Sequence, residues 1–165
     1  MRNRTNKHGV VEKHERGSIL ATSAIGMLSI LLAGGGVDIS RFCLAKNELQ
    51  NAADAAALAG ASALNTAPGG ITKAADRAVA SMNKYDFNHT GVTFPRANVE
   101  FAVNLDGPYM SEASALGQAA KVGLVKVTTP ASAIGVSFAP SVLGKTKNLR
   151  ATATAESAGL APANI

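Results

Sequence analysis

The sequence has few aromatic residues and almost no cysteine. Its 165 residues include no Trp, two Tyr and five Phe, so a folded core must rely on Val, Leu, Ile and Ala. The single cysteine, Cys43, excludes an internal disulfide framework. Two interpretations of Cys43 stay open: a buried or free thiol that packs like a small apolar residue, or an intermolecular disulfide with a second copy of the chain.

Charged residues are absent from one long stretch, Ser18 to Val37. As a helix, these roughly 20 residues span about 30 Å, the hydrocarbon thickness of a bilayer. Helix formers continue beyond this stretch, without proline, up to a turn cluster at Asn65–Gly70. We therefore predict one helix from Ser18 to Asn65, about 48 residues and roughly 70 Å long. No Ala-x-Ala cleavage site follows the apolar run, which favours a retained anchor over a signal peptide.

Residues 1–17 are polar and basic, and they lack periodicity. They hold five basic and two acidic residues, so they contribute +3 of the chain's net charge of +5. A basic tail beside an apolar span follows the positive-inside rule and predicts a cytoplasmic N-terminus. Because no aromatic or Gly-rich RNA-reading motif accompanies the basic residues, nucleic acid is not an expected partner.

Catalytic and metal-binding motifs are also missing. His8 and His14 lie in the basic tail, and His89 stands alone between Asn88 and Thr90. None of them has the spacing of a metal site. No nucleophile elbow or phosphate-binding loop is present. The sequence therefore predicts a protein that is not an enzyme and that needs no cofactor or metal.

Small residues recur along the apolar run at steps of four and three, which places them on one helix face. Such a face permits close approach of a second helix, although small residues are also simply tolerated in membrane helices. The larger side chains opposite it suit lipid. We predict that Gly34, Gly35 and Gly36 form a local flexible point, because three glycines cost about 2–3 kcal/mol of helix propensity in water. The predicted packing residues are Thr22, Gly26, Ser29, Ala33 and Gly36.

Past the apolar run, the predicted helix carries a narrow apolar stripe of mostly small side chains. Gly60 in that stripe predicts a very close neighbour. Asp38 falls at the outer membrane edge, either as a solvated charge or paired with Arg41 or a neighbouring subunit. Asp54 lies off the stripe, either exposed or paired across a helix contact. The stripe consists of Ile39, Phe42, Leu49, Ala53, Ala56, Gly60 and Ala63.

The remaining residues predict a small α+β domain, with a short helix over Thr72–Asn83 and an antiparallel sheet. Alternating apolar residues predict strands at Asn98–Leu105, Lys121–Thr129 and Lys147–Glu156. Ser132–Leu143 fits either a strand or a short helix. The predicted organisation is a tail (1–17), a transmembrane helix (18–37), a helical stem (38–65) and an extracytoplasmic domain (66–165). The predicted fold class is α+β and pilin-like.

Four elements between Arg16 and Ala59 resemble the N-terminal segment of Tad/Flp (tight adherence) pilus-assembly proteins of the TadG-like type. They are Arg16-Gly17-Ser18, Val37-Asp38, Leu49-Gln50 and the block Ala52-Ala53-Asp54-Ala55-Ala56-Ala57-Leu58-Ala59. The resemblance covers about 50 residues. The Ala-rich block is specific, because Asp is a poor choice for a helix on propensity alone. The chain is too short for the von Willebrand A-type domain of many such proteins.

The resemblance implies a single-pass protein of the bacterial inner membrane that assembles a pilus or a related secretion machine by helix packing. Its expected partners are the membrane, other pilus-assembly proteins and copies of itself. Gly17-Ser18 matches the place where prepilins are cut. The residue five beyond the cut is Thr22, however, where pilins usually have Glu. We therefore expect an uncut anchor. The alternative function is a membrane-tethered binding or adhesion module.

Overall fold

The structure is a computed structural model that describes residues 8–83, 86–87, 90–91, 94–138 and 140–158. Its elements within those residues are four α-helices, one 3-10 helix (Arg96–Asn98) and seven short strands. The helices are α1 (His8–Ala61), α2 (Pro68–Met82), α3 (Glu112–Leu116) and α4 (Pro140–Leu143). The strands are β1 (Asp86–Phe87), β2 (Thr90–Gly91), β3 (Val99–Ala102), β4 (Leu124–Thr128), β5 (Ser132–Gly135), β6 (Thr146–Leu149) and β7 (Thr152–Glu156). The predicted α+β class, with a long helix first, is confirmed.

The long helix α1 is displaced toward the N-terminus relative to the prediction. It begins at His8 instead of Ser18 and ends at Ala61 instead of Asn65. No proline separates the tail from the apolar run, and each residue added to a formed helix gains a hydrogen bond at little further cost. Residues 1–7 of the predicted tail lie outside the described residues. The predicted flexible point at Gly34–Gly36 is wrong, because α1 continues through all three glycines.

The second helix begins earlier than predicted, at Pro68 instead of Thr72. Proline suits the first turn of a helix, because the amide hydrogen that it lacks has no partner there and its fixed φ is already helical. The turn before α2 places Thr66 at φ 62°. One face of α2 is buried, and its members are Gly70, Ile71, Ala74, Ala75, Ala78 and Met82.

The main sheet has three antiparallel strands in the order β3-β4-β7. Phe101 of β3 pairs with Val125 of β4, and Val127 of β4 pairs with Ala153 of β7. Strand β3 is shorter than the predicted strand, since Leu105 lies in an exposed turn. The predicted single strand over Lys147–Glu156 is wrong, because the chain breaks there into β6 and β7.

Two other regions extend or resolve the sequence prediction. The stretch Ser132–Leu143 contains both proposed structures, with β5 at its start and α4 at its end. Helix α3 and the pair β1-β2 were not predicted, because segments of five and two residues are too short to show a period. Strands β5 and β6 pair with each other in a separate two-stranded sheet.

The chain divides into two compact units. The first contains Met1–Ser40 and Gly135–Thr146, and the second contains Arg41–Ile134 and Lys147–Ile165. The second unit has a core in which alanines of α1 and α2 meet the sheet residues Val99, Phe101 and Val125. Small side chains let the helix backbones approach closely. Phe101 is the largest fully buried side chain among the described residues.

Candidate membrane and assembly segment

The apolar run of α1 leaves most of the surface of its large side chains exposed. Burying a side chain of this kind favours folding by about 1.5–3 kcal/mol, so the exposed run strongly favours a non-aqueous neighbour. These residues, each 47–72% exposed, are Ile19, Leu20, Ile25, Met27, Leu28, Ile30, Leu31, Leu32 and Val37. Among the described residues, this is the one helix that is long and apolar enough to cross a membrane.

The polar members of the predicted packing face satisfy their hydrogen bonds within α1. The hydroxyl of Thr22 donates to the carbonyl of Ser18 at 2.8 Å, and that of Ser29 donates to the carbonyl of Ile25 at 2.9 Å. These bonds remove most of the cost of placing a hydroxyl group in lipid.

The packing face is also sterically open. Thr22, Gly26, Ser29, Ala33 and Gly36 are all exposed. A Cβ atom added at Gly26 or at Gly36 would meet no heavy atom within 4 Å. At Gly26 and Gly36 the described chain therefore leaves this face open, and a Cβ atom added there would not clash with it.

Asp38 is buried within the first unit, with 1% of its surface exposed. Its Oδ1 accepts a hydrogen bond from the backbone amide of Ser137 at 3.0 Å, and its Oδ2 accepts one from the amide of Phe138 at 2.9 Å. The interpretation of Asp38 as a solvated charge is therefore wrong. These two amides lie 99 and 100 positions away in the chain, where no local pattern could reveal them.

The segment Gly135–Thr146, called the clip segment below, continues this contact toward the apolar run. Phe138 lies against Gly34, where an added Cβ would be 2.6 Å from the Cβ of Phe138. The amide of Val136 donates to the carbonyl of Lys145 at 2.9 Å, which closes the segment into a loop. Gly144, with φ +80°, follows α4 in the left-handed conformation that ends many helices.

The stem half of α1, in the second unit, packs as its apolar stripe predicts. Leu49, Ala53, Ala56 and Gly60 are buried, Phe42 and Ala63 are half-buried, and Ile39, which belongs to the first unit, is exposed. A Cβ added at Gly60 would lie 3.1 Å from the carbonyl oxygen of Ala74 and 3.1 Å from Cγ1 of Val125. The close neighbours predicted at Gly60 are therefore α2 and β4 of the same chain.

Asp54 is exposed and lies beside a polar side chain of its own helix. Its Oδ1 accepts a hydrogen bond from Nε2 of Gln50 at 2.9 Å. Nε2 of Gln50 also donates to the carbonyl of Thr152 in β7 at 3.1 Å. One turn earlier along α1, Nζ of Lys46 donates to the carbonyl of Arg150. Asp54 thus belongs to a row of polar contacts between α1 and the end of the chain.

An ion cluster that the sequence did not reveal lies in the second unit. Arg96 donates to both carboxylate oxygens of Glu112, at 2.6 and 2.8 Å, and its Nη1 pairs with Asp76. These bonds, first to Glu112 and then to Asp76, raise the pKa of the Arg96 guanidinium. The three residues stand 16 and 20 positions apart, a spacing without meaning on one helix or strand.

Beside this cluster lies an open groove of about 400 Å³, lined mainly by apolar groups. Its lining residues are Arg96, Ala97, Val99, Ser111, Glu112, Ala113 and Leu116. In the part of the chain that the structure describes, no three His, Cys, Asp or Glu side chains are grouped so as to hold a metal ion. Cys43 is an exposed free thiol.

Within the described residues, the chain combines one helix long and apolar enough to cross a membrane with a small α+β domain. Residues 17–63 match the family model described as putative Flp pilus-assembly TadE/G-like. The chain therefore carries a Tad segment, and the resemblance predicted from the sequence is confirmed over these residues. No curated protein matches the chain, and no solved structure matches it. The family is one of assembly proteins, not of enzymes, which indicates a role in pilus assembly.

Proposed function

We propose that the chain is a non-enzymatic, minor pilin-like component of a Tad/Flp pilus or a related envelope secretion machine. It lies in the bacterial inner membrane with its N-terminus in the cytoplasm and residues 66–165 outside. It acts by packing the apolar half of α1 against other pilus-assembly proteins or copies of itself. The observation that carries this proposal is the exposed, uncharged helix within a segment that matches the Tad family model.

The steric openness of the small-residue face supports packing of this kind. Without a hydrophobic driving force in lipid, helix association depends on close van der Waals contact, which small residues allow. Gly26 lies near the centre of the face, and a Cβ atom added there would meet no heavy atom within 4 Å. A loss of assembly in a Gly26 variant would therefore report a lost contact with a partner, not a damaged fold.

The basic tail supports a cytoplasmic N-terminus, by the positive-inside rule. The N-terminal leader is retained in this proposal. The fifth residue after Gly17 is Thr22, whose hydroxyl is already bonded to the carbonyl of Ser18. A glutamate at that position would require a charged partner inside the membrane, whereas Thr22 requires none. An uncut chain shows its full mass, whereas cleavage between Gly17 and Ser18 would remove the tail.

The experiment compares Gly26→Leu with the matched control Ala24→Leu in the full chain in its native membrane. At about 100° per residue, Ala24 lies roughly 160° from Gly26 and faces away from the small-residue face. Both variants add the same side chain at an exposed position of the same helix. We expect Gly26→Leu to abolish the native complex, measured by blue-native electrophoresis, and to abolish piliation. Ala24→Leu should preserve both. Equal behaviour of the two variants would contradict packing through this face.

A second candidate is a membrane-tethered binding module, and the open groove beside Arg96 favours it. A tethered binder needs only a generic span, so it should tolerate Gly26→Leu and Ala24→Leu alike. It should instead lose function when the groove is filled, for example by Ala113→Phe. The two candidates therefore give opposite results in the same assay of piliation and surface adhesion.

A further inference from the structure

We propose that the clip segment, Gly135–Thr146, is a membrane-contacting loop that rests in the headgroup region of the outer leaflet. This inference rests on the proposed function to the extent that α1 must span a membrane. It assigns a second, independent lipid contact to the C-terminal part of the chain. The partner is a phospholipid surface, which Phe138 enters and Lys145 contacts by its charge.

The position of Phe138 along α1 supports a contact with the membrane interface. Phe138 lies against Gly34, and Gly34 comes three residues before Val37, where the uncharged run ends. Three residues of helix correspond to about 4.5 Å, so the contact lies on the membrane side of that end. Interfacial segments bury their apolar side chains about 5–10 Å into the boundary between headgroups and acyl chains. The contact at Gly34 therefore places Phe138 at the depth expected for an interfacial side chain.

The exposure of Phe138 supports the same contact. Although its near end packs on Gly34, 55% of its surface remains exposed. The exposed side chains of the apolar run, such as Leu31 and Leu32, belong to the same unit. Phe138 therefore adds an exposed apolar ring to the unit whose helix already exposes its large apolar side chains. In water, exposure of the same ring would be energetically unfavourable.

The charged groups of the first unit, Asp38 and Lys145, are also arranged in a way that suits a lipid surface. The carboxylate of Asp38 is 1% exposed and accepts two backbone amides, so its negative charge is covered by the clip segment. Lys145, at the other end of the loop, is exposed. A covered anion and an exposed cation together suit a surface of lipid phosphates, because a lysine can keep its stem in the interface and its ammonium group among the headgroups.

The test uses the absence of tryptophan from the native chain, which makes Phe138→Trp the sole tryptophan of the variant. The full-length protein is reconstituted in phosphatidylcholine–phosphatidylglycerol vesicles that contain brominated lipids. Leu28→Trp serves as the deep reference, since it lies near the middle of the apolar run, and Leu105→Trp serves as the exposed reference. Lipids brominated near the headgroups should quench Phe138→Trp more than lipids brominated near the chain ends. Leu28→Trp should show the reverse order, and Leu105→Trp should not be quenched.

The contribution of Lys145 is tested in the same Phe138→Trp background. Lys145→Glu should reduce quenching in vesicles with phosphatidylglycerol and have a smaller effect in pure phosphatidylcholine. Lys121→Glu, the same change at another exposed lysine, should leave quenching unchanged. Asp38→Ala should also reduce quenching, because it removes the acceptor that holds Ser137 and Phe138. Equal effects of Lys145→Glu and Lys121→Glu would contradict a specific headgroup contact.

The outcomes separate this inference from the proposed function. Quenching of Leu28→Trp without quenching of Phe138→Trp would overturn the lipid contact and leave the membrane anchor intact. Shielding of Phe138→Trp from water without quenching by either lipid would also overturn it, in favour of a protein contact. If Leu28→Trp is not quenched, the membrane anchor itself fails. Leu143→Trp, on the same segment, repeats the comparison if Phe138→Trp displaces the loop.

Discussion

The three consecutive glycines of α1 allow a controlled test of the contact between Gly34 and the clip segment. A Cβ added at Gly34 would lie 2.6 Å from the Cβ of Phe138, whereas at Gly35 or Gly36 it would meet nothing within 4 Å. Carbon atoms in contact prefer about 3.5–4.0 Å, so Gly34→Ala requires a shift of roughly 1 Å. The clashing atom is close to the backbone of Phe138, so a simple side-chain rotation cannot relieve it.

The expected increase in opening of the clip segment follows from comparing Gly34→Ala with Gly36→Ala. Both changes gain the same helix propensity, about 0.8–1.0 kcal/mol, which cancels in the comparison. Forcing an extra carbon into a packed contact costs about 1–3 kcal/mol. The clip segment should therefore open about 5- to 150-fold more often in Gly34→Ala than in Gly36→Ala.

Hydrogen exchange of the full chain in nanodiscs measures this opening directly. The amides of Ser137 and Phe138 are the probes, because both donate to the carboxylate of Asp38. We expect their protection to fall in Gly34→Ala and to stay at the wild-type level in Gly36→Ala. Equal protection in the two variants would refute the contact between Gly34 and Phe138.

Three further predictions concern other parts of the chain. Gly60→Ala should lower the free energy of urea unfolding by up to about 2 kcal/mol, because overpacking outweighs the propensity gain, whereas Gly69→Ala in an open position should not. Arg96→Met should cost about 1 kcal/mol, since exposed ion pairs contribute little, and the loss should shrink in high salt. Because hydrogen bonding raises the pKa of Arg96, its contribution should stay constant with rising pH until the usual arginine range is reached. The exposed thiol of Cys43 should react with a membrane-impermeant maleimide in intact spheroplasts if the stem lies outside.

Each of these has a matched control. A loss at Gly69→Ala equal to that at Gly60→Ala would mean that the close approach to α2 and β4 carries no energy. A salt-independent loss in Arg96→Met would point to packing of the arginine stem instead of charge. For topology, Asn3→Cys in a Cys43→Ser background should react only after permeabilisation. Labelling of that variant in intact spheroplasts would reverse the proposed orientation.

Sequence patterns predicted the elements whose residues follow a regular period. The apolar run, the stripe through Leu49 and Ala56, and the alternation in β3 and β4 each report burial along one element. The start of α2 at Pro68 could also have been read from the preference of proline for the first helical turn. The break between β6 and β7 was missed because Leu149, Ala151 and Ala153 keep one phase across it.

The contacts at the candidate site could not be predicted in the same way. Asp38 accepts hydrogen bonds from two amides of the clip segment, and Gly34 has a neighbour there too, about a hundred residues later in the chain. A single sequence carries no record of which distant amide will meet a carboxylate. The three glycines at Gly34–Gly36 predicted a flexible point in the helix, because helix propensities in water describe an isolated helix. In the folded chain, the absence of a side chain at Gly34 makes room for Phe138.

The contacts from Lys46 and Gln50 to the carbonyls of Arg150 and Thr152 bear on strand addition at the edge of the sheet. The carbonyl of Thr152 accepts from Gln50, although Thr152 already pairs with Thr128 in the sheet. Outward carbonyls of an edge strand are the groups to which a foreign strand would bind. The stem residue Gln50 occupies one of them at Thr152, and Lys46 binds the carbonyl of Arg150, just before β7 begins. The long helix therefore covers part of the sheet border at which a foreign strand would otherwise add.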